Sequence, residues 1–204
     1  MELILLRALP ILWAVTIHEY AHGWMAHKCG DDTALYSGRL TLNPLAHLDL
    51  FGTLCFFVVG FGWAKPVPVN PYNFRYPSRD DILVSIAGVC ANFLSALAFA
   101  AVYRLISAFG AGTPLANPMM LKLLEIAVTF NLVLIFFNLI PIPPLDGSHV
   151  LAQLMPLHMT DWYNRNVVPY GPFILMGLVF LGRGLLFYII SVPTALLMYL
   201  LLWY

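Results

Sequence analysis

The sequence predicts an all-α polytopic membrane protein. The expected form is a bundle of about five transmembrane helices, with a short re-entrant or interfacial helix and short β-strand or extended segments near the cytoplasmic face. Three observations carry that prediction. The 204 residues are 61% hydrophobic and only 10% charged, against about 25% charged in a soluble domain. Mean hydropathy is +0.82. Apolar runs long enough to enter a bilayer alternate with Pro- and Gly-rich breaks. The length suits one membrane-embedded domain over residues 1–204. A formal net charge of zero gives no sign of nucleic-acid binding.

Leu3 to about Cys29 reads as the first helix. Pro10 is a kink, tolerated where neighbouring helices satisfy the freed carbonyl, and Gly30 with Asp31-Asp32 stops the helix. Glu2 precedes Arg7, so no basic leader is present and the stretch reads as mature structure. Leu40-Thr41-Leu42-Asn43 alternates before Pro44 and predicts a short strand. Leu50 to Gly62 is apolar over about 13 residues, where a full span needs about 20. A re-entrant or interfacial helix ending near Trp63 is expected there. Lys65 to Pro77 contains Pro66, Pro68, Pro71 and Pro77, which excludes a helix or central strand and leaves an edge strand or extended loop.

Asp80 to about Ala108 and Met119 to Ile140 are the next two spans, separated by a turn region from Gly110 to Pro118. Pro141-Ile142-Pro143-Pro144 breaks the chain before Asp146-Gly147. His149 to Pro169 reads as a short helix and a polar loop. Gly171 to Tyr204, interrupted by Gly182-Arg183-Gly184, reads as two short helices with a turn near Arg183. Lys28, Arg39, Lys65, Arg75, Arg79 and Arg165 fall on one side of this arrangement; Arg7, Arg104, Lys122 and Arg183 fall on the other. The positive-inside tendency puts residues 28 to 79 in the cytoplasm, and following the spans brings Asp146 out on the same side. Cys29, Cys55 and Cys90 are odd in number and lack metal-type spacing, so they read as small buried or semi-buried residues.

The chemistry concentrates in His18-Glu19-Tyr20-Ala21-His22. On a helix, positions i and i+4 share a face, so both imidazoles can hold one metal ion, with Glu19 beside them to take a proton from water. Ionisable side chains are costly within a bilayer, so their place at the end of an apolar run points to function. Catalytic zinc usually takes three protein ligands. Asp146, His47, His149 and Asp49 are candidates for the third. Asp146 has the best placement, just past a break where irregular backbone must line protein or a wet cavity. A helix N-cap is its bland alternative.

These residues belong to a longer series. After the first motif come Gly38-Arg39-Leu40-Thr41-Leu42-Asn43-Pro44 with His47, then Lys65-Pro66-Val67-Pro68-Val69. Ala87-Gly88-x-x-x-Asn92 follows, and then Asn138-Leu139-Ile140-Pro141-Ile142-Pro143-Pro144-Leu145-Asp146-Gly147. In this order they resemble the site-2 protease family of intramembrane zinc metalloproteases, in its compact prokaryotic form without an inserted peptide-binding domain. The resemblance covers residues from about 10 to 150. It implies one zinc held by His18, His22 and Asp146, Glu19 as general base and acid, and Asn138 steadying the substrate or the oxyanion. It implies a second polar member of the site in Asn92, a transmembrane protein substrate, and a place in the prokaryotic plasma membrane with the site toward the cytoplasm. Val89 and Ser148-His149 depart from the pattern of many members, which bears on the surroundings of the ligands rather than the ligands themselves.

A substrate helix must unwind before its carbonyl can be attacked. Leu40, Leu42, Val67 and Val69, on the two extended stretches, are expected to pair with the unwound segment by strand addition. Rival classes fare less well. A metal-ion transporter should show paired half-helices in corresponding halves, and no such repeat is present. A di-iron desaturase needs many clustered histidines, against six spread along this chain. A catalytically inactive membrane scaffold is disfavoured by the complete set of ligands and base.

Overall fold

A computed structural model describes residues 2–59, 62–110 and 112–203, with side chains for all of these except 2–5 and 56–59. Within them lie α1 (Glu2–Cys29), α2 (Thr33–Tyr36), α3 (Leu50–Val59), α4 (Pro77–Phe109), α5 (Pro118–Asn138), α6 (Asp146–Leu154), α7 (Leu157–Asn166), α8 (Gly171–Phe180) and α9 (Arg183–Leu202). Short 3-10 turns at Pro44–His47, Pro71–Asn73, Pro114–Ala116 and Val168–Tyr170 join them.

The all-α class stands, with two corrections of detail. Three helices among the described residues, α4, α5 and α9, are long and apolar enough to cross a membrane, where about five were expected. The ten residues of α3, and the ten of α8, extend about 15 Å, half of a hydrocarbon core of about 30 Å. Helix α1 has 28 residues but interrupts its apolar run with Arg7, His18, Glu19 and His22. The second correction concerns strands. Among the described residues the only β pairing is an isolated bridge between Leu48 and Ala64. The strand expected at Leu40–Asn43 is a bend, because local side chains take the backbone groups a ladder would need. Asn43 N–H donates to Thr41 Oγ1 and Leu45 N–H donates to Asn43 Oδ1. Residues 65–70 are extended but unladdered. The expected re-entrant helix matches α3 as far as Val59, and its continuation through 60 and 61 lies outside the described residues.

Helix α4 is the hub. It packs against α1, α5 and α6, and more lightly against α9. Ala96 and Ala100 of α4, Val128, Leu132 and Ile135 of α5, and Leu202 of α9 form the buried centre. Alanines at the crossing let backbones approach, as membrane helices require in the absence of a hydrophobic driving force between them. Trp13 Nε1 donates to Ser95 Oγ at 2.6 Å, a polar contact holding α1 against α4. Cys29 is buried as expected, whereas Cys90 is exposed, on a face of α4 turned away from its neighbours.

The last two helices settle a point of topology. Leu186, near the start of α9, packs with Ile140, Leu145 and Leu175 at the end of the molecule where α5 finishes. At the other end, Arg104 Nη2 donates to Leu200 O at 2.6 Å and its guanidinium lies 4.0 Å from the Trp203 ring. Helix α9 therefore runs parallel to α4, and among residues 171–203 it is the one helix long and apolar enough to cross a membrane. Arg183 sits on the same side as Asp146, not opposite it as the sequence suggested.

Candidate metal centre

The site is assembled on one face of α4. Asp81, Val84, Gly88 and Asn92 recur at intervals of three and four residues, so they form one stripe. His18 and His22, one turn apart on α1, meet that stripe. His18 Nδ1 lies 2.7 Å from Asn92 Oδ1. The Asn92 amide nitrogen donates to Ala14 O and Asn131 Oδ1, both at 2.9 Å, so the Asn92 oxygen is the acceptor and His18 Nδ1 carries a hydrogen. His22 Nδ1 lies 2.8 Å from Val84 O. A carbonyl can only accept, so His22 Nδ1 also carries a hydrogen. Both imidazoles are thus fixed as the tautomer whose Nε2 presents a lone pair, as metal-ligating histidines are when the other ring N–H is given to an oxygen.

Those two lone pairs converge. His18 Nε2 and His22 Nε2 are 2.9 Å apart, and Asp146 Oδ2 lies 3.2 Å from the first and 3.4 Å from the second. Asp146 is the first residue of α6, whose N-cap position is Leu145, so the cap alternative for Asp146 is not what the structure shows. Asp146 Oδ2 is buried without a hydrogen-bond partner. Three electron-rich atoms pointing at one spot repel each other unless a cation lies between them. Zinc bonds of 2.0–2.1 Å at tetrahedral angles separate neighbouring ligand atoms by about 3.3 Å, close to the triangle found. The three side chains fit such an ion. Gly88 completes the cradle: a Cβ there would fall 2.6 Å from His18 Cε1 and 2.6 Å from His22 Nε2.

Glu19 reaches the extended stretch. Its Oε2 accepts the Val67 N–H at 2.8 Å. Val67 itself is buried, and Val69 packs into the cluster of Ala26, Cys29, Phe74 and Val84, so neither side chain faces an open cleft. Leu42 is exposed and Leu40 half-buried. Asn138 is not hydrogen-bonded to the triangle; its Nδ2 donates to Leu134 O of its own helix at 3.0 Å. The other candidates for a third ligand are engaged elsewhere. His47 Nε2 donates to Thr41 O, Asp49 Oδ1 accepts the Gly52 N–H, and His149 Nδ1 is 3.6 Å from Asp81 Oδ1.

Asn131, the Val84 carbonyl and the steric role of Gly88 escaped the sequence reading. A signal existed for Asn131: a lone amide in the middle of an apolar span needs a buried partner. The partner, Asn92, could be identified only once α4 and α5 were in contact. Val84 contributes only its backbone and leaves no trace in residue type.

The profile of Peptidase family M50 matches residues 105–181. That segment includes Asp146 but not the histidine pair. YwhC of Bacillus subtilis is 43% identical over 156 residues, covering 72% of this chain and 68% of that protein. Rip2 of Mycobacterium tuberculosis is 29% identical over 175 residues, covering 83% of this chain and 64% of that protein. Both relatives carry the designation zinc metalloprotease in their names. No solved structure matches the chain. The identity with YwhC extends over most of both chains, and with the M50 match it makes this chain a member of peptidase family M50, the site-2 protease family.

Proposed function

We propose that this protein is an intramembrane zinc metalloprotease that hydrolyses peptide bonds in or near the transmembrane helices of membrane protein substrates, as in regulated intramembrane proteolysis. One zinc per chain is held by His18, His22 and Asp146. The observation that carries the reading is the convergence of two imidazole lone pairs and a carboxylate oxygen, with both Nδ1–H groups already tied back. A proton could bridge one pair of these atoms; a metal ion satisfies all three. The residues that hold the histidines, Val84 and Asn92, lie about 10 and 22 Å along α4 from Pro77 at 1.5 Å per residue, which supports a site inside the span of a membrane helix rather than above it.

A bound zinc supplies Lewis acidity that activates water near neutral pH and polarises a carbonyl. The chain's own residues do the rest. Glu19 accepts the proton from the attacking water and returns it to the leaving amine. Its contact with Val67 N–H occupies one carboxylate oxygen and fixes the side chain; the second oxygen keeps its lone pairs for the proton. Asn92 and Val84 hold the imidazoles in the metal-binding tautomer. Asn138 has an amide hydrogen beyond the one given to Leu134 O, which can donate to the developing oxyanion once substrate is bound. The protein sits in the prokaryotic plasma membrane with the site open to the cytoplasm, and the lipid bilayer is its surrounding partner.

Glu19→Gln is the decisive variant. The purified variant should hold zinc at wild-type stoichiometry while cleavage of a membrane-helix substrate falls at least 10³-fold, an order of magnitude suited to loss of a general base. Retained cleavage removes Glu19 from its role. A wild-type chain that carries no zinc removes the whole reading.

A further inference from the structure

The stripe on α4 has one member that the proposed chemistry does not use. Asp81 lies one turn before Val84, and both of its oxygens are taken by α6. Asp81 Oδ2 accepts from Gln153 Nε2 at 2.8 Å, and Asp81 Oδ1 is 3.6 Å from His149 Nδ1. The Asp81 carboxylate is 14% exposed and the His149 side chain 54%, so the acid is shielded while its histidine partner borders solvent. On α6, Asp146, His149 and Gln153 are spaced three and four residues apart, so all three project from the same face toward α4. Helix α6 is only nine residues long and follows an irregular Pro-rich segment. The two contacts to Asp81 set its rotation and height against α4, and with them the position of the Asp146 carboxylate.

We propose that Asp81 is a positioning residue for the metal site. It latches α6 through His149 and Gln153 and so delivers Asp146 to the two histidines. One helix, α4, then registers all three proposed ligands: His18 through Asn92, His22 through the Val84 carbonyl, and Asp146 through Asp81 by way of α6. This inference rests on the zinc reading above, since it concerns how the third ligand is placed.

The test is zinc affinity, by chelator competition on the detergent-solubilised full chain, measured beside the melting temperature of the zinc-free protein. Asp81→Ala should weaken zinc binding about 10- to 100-fold, the range for partners of ligands. The zinc-free melting temperature should change little, because the latch lies at the edge of the helix bundle. The double variant His149→Ala with Gln153→Ala should weaken zinc to the same degree, and adding Asp81→Ala to it should bring no further loss. His149→Arg, which keeps a cation opposite Asp81, should stay within about threefold of the wild type. Wild-type zinc affinity in Asp81→Ala overturns the latch, as do additive losses in the triple variant. Should Asp81→Ala not fold, the His149 and Gln153 pair decides alone: unchanged affinity there overturns the proposal. A wild-type chain that binds no zinc overturns the metal reading itself, an outcome distinct from a zinc-binding chain indifferent to Asp81.

Discussion

Gly88 has no side chain, yet the site closes around it. Its α-carbon faces both imidazoles, and a methyl group would stand 2.6 Å from His22 Nε2, well inside van der Waals contact. The neighbours cannot yield cheaply, because each ring is held from behind by Asn92 or the Val84 carbonyl. Gly88→Ala is expected to push the rings apart and weaken zinc by about 10- to 100-fold, as loss of ligand support does elsewhere. Chelator competition measures this directly, and wild-type affinity in the variant would mean that the rings are not confined as described. Behind the rings runs the polar thread Ala127 O–Asn131–Asn92–His18 across α5, α4 and α1, every member buried. Truncating a member would leave a buried donor or acceptor unpaired, a penalty of about 1–3 kcal/mol.

At the scale of the element, the extended stretch from Lys65 to Asn70 is where a substrate is expected to pair. Pro66 and Pro68 have no N–H. Lys65 N–H donates to His47 O, Val67 N–H to Glu19 and Asn70 N–H to Asp31 Oδ2. Asp31 is fully buried; burial opposes its ionisation, but the Asn70 N–H, the Thr33 hydroxyl and N–H, and the Asn73 amide outweigh that and hold its carboxyl below the ordinary range. These bonds anchor the stretch beside Glu19. Successive carbonyls of an extended chain point to opposite sides, so those of Pro66 and Pro68 share the edge away from Glu19. Strand addition here would be one-sided: a substrate can donate N–H groups to this edge but finds few donors for its own carbonyls. Proline scanning of a cleaved segment should therefore abolish cleavage at alternate positions and spare the positions between them. Tolerance at every position would remove strand addition from the mechanism. The spared positions control for the general effect of proline on helix unwinding.

Over the whole molecule, the ends of α1, α5 and α6 and the starts of α4 and α9 lie on one side, and Asp146, at the start of α6, meets the histidines beside Gly88, inward from the start of α4. With Arg183 moved to that side, the basic residues divide seven to three rather than six to four, and the bias toward a cytoplasmic site strengthens. Tyr72, 97% exposed in the loop before α4, reports the orientation. In a chain with Cys29→Ala, Cys55→Ala and Cys90→Ala, a Tyr72→Cys substitution should react with an impermeant maleimide in inside-out membrane vesicles and stay unreactive in right-side-out ones. The reverse pattern would turn the molecule over and place the site on the far face.

Residue type and spacing were enough to mark the long helices, the breaks at Gly30, Pro141 and Gly182, and the side chains His18, Glu19, His22 and Asp146, because period and cost of burial are properties of local sequence; α7, Leu157–Asn166, stands where a polar loop was expected. The pairing of His18 and His22 needs only one turn of helix. Their meeting with Asp146 joins positions more than 120 residues apart, and no local rule sets that distance. Only the tertiary structure decided the tautomers, the role of the Val84 carbonyl, the place of Asn131, the parking of Glu19 on Val67 and the latch at Asp81, because each depends on which faces α1, α4, α5 and α6 turn toward one another. The same reason explains misreadings of position and pairing. Strand at Leu40–Asn43 and a place for Arg183 opposite Asp146 both looked right by local pattern, and both gave way to contacts that the pattern does not contain.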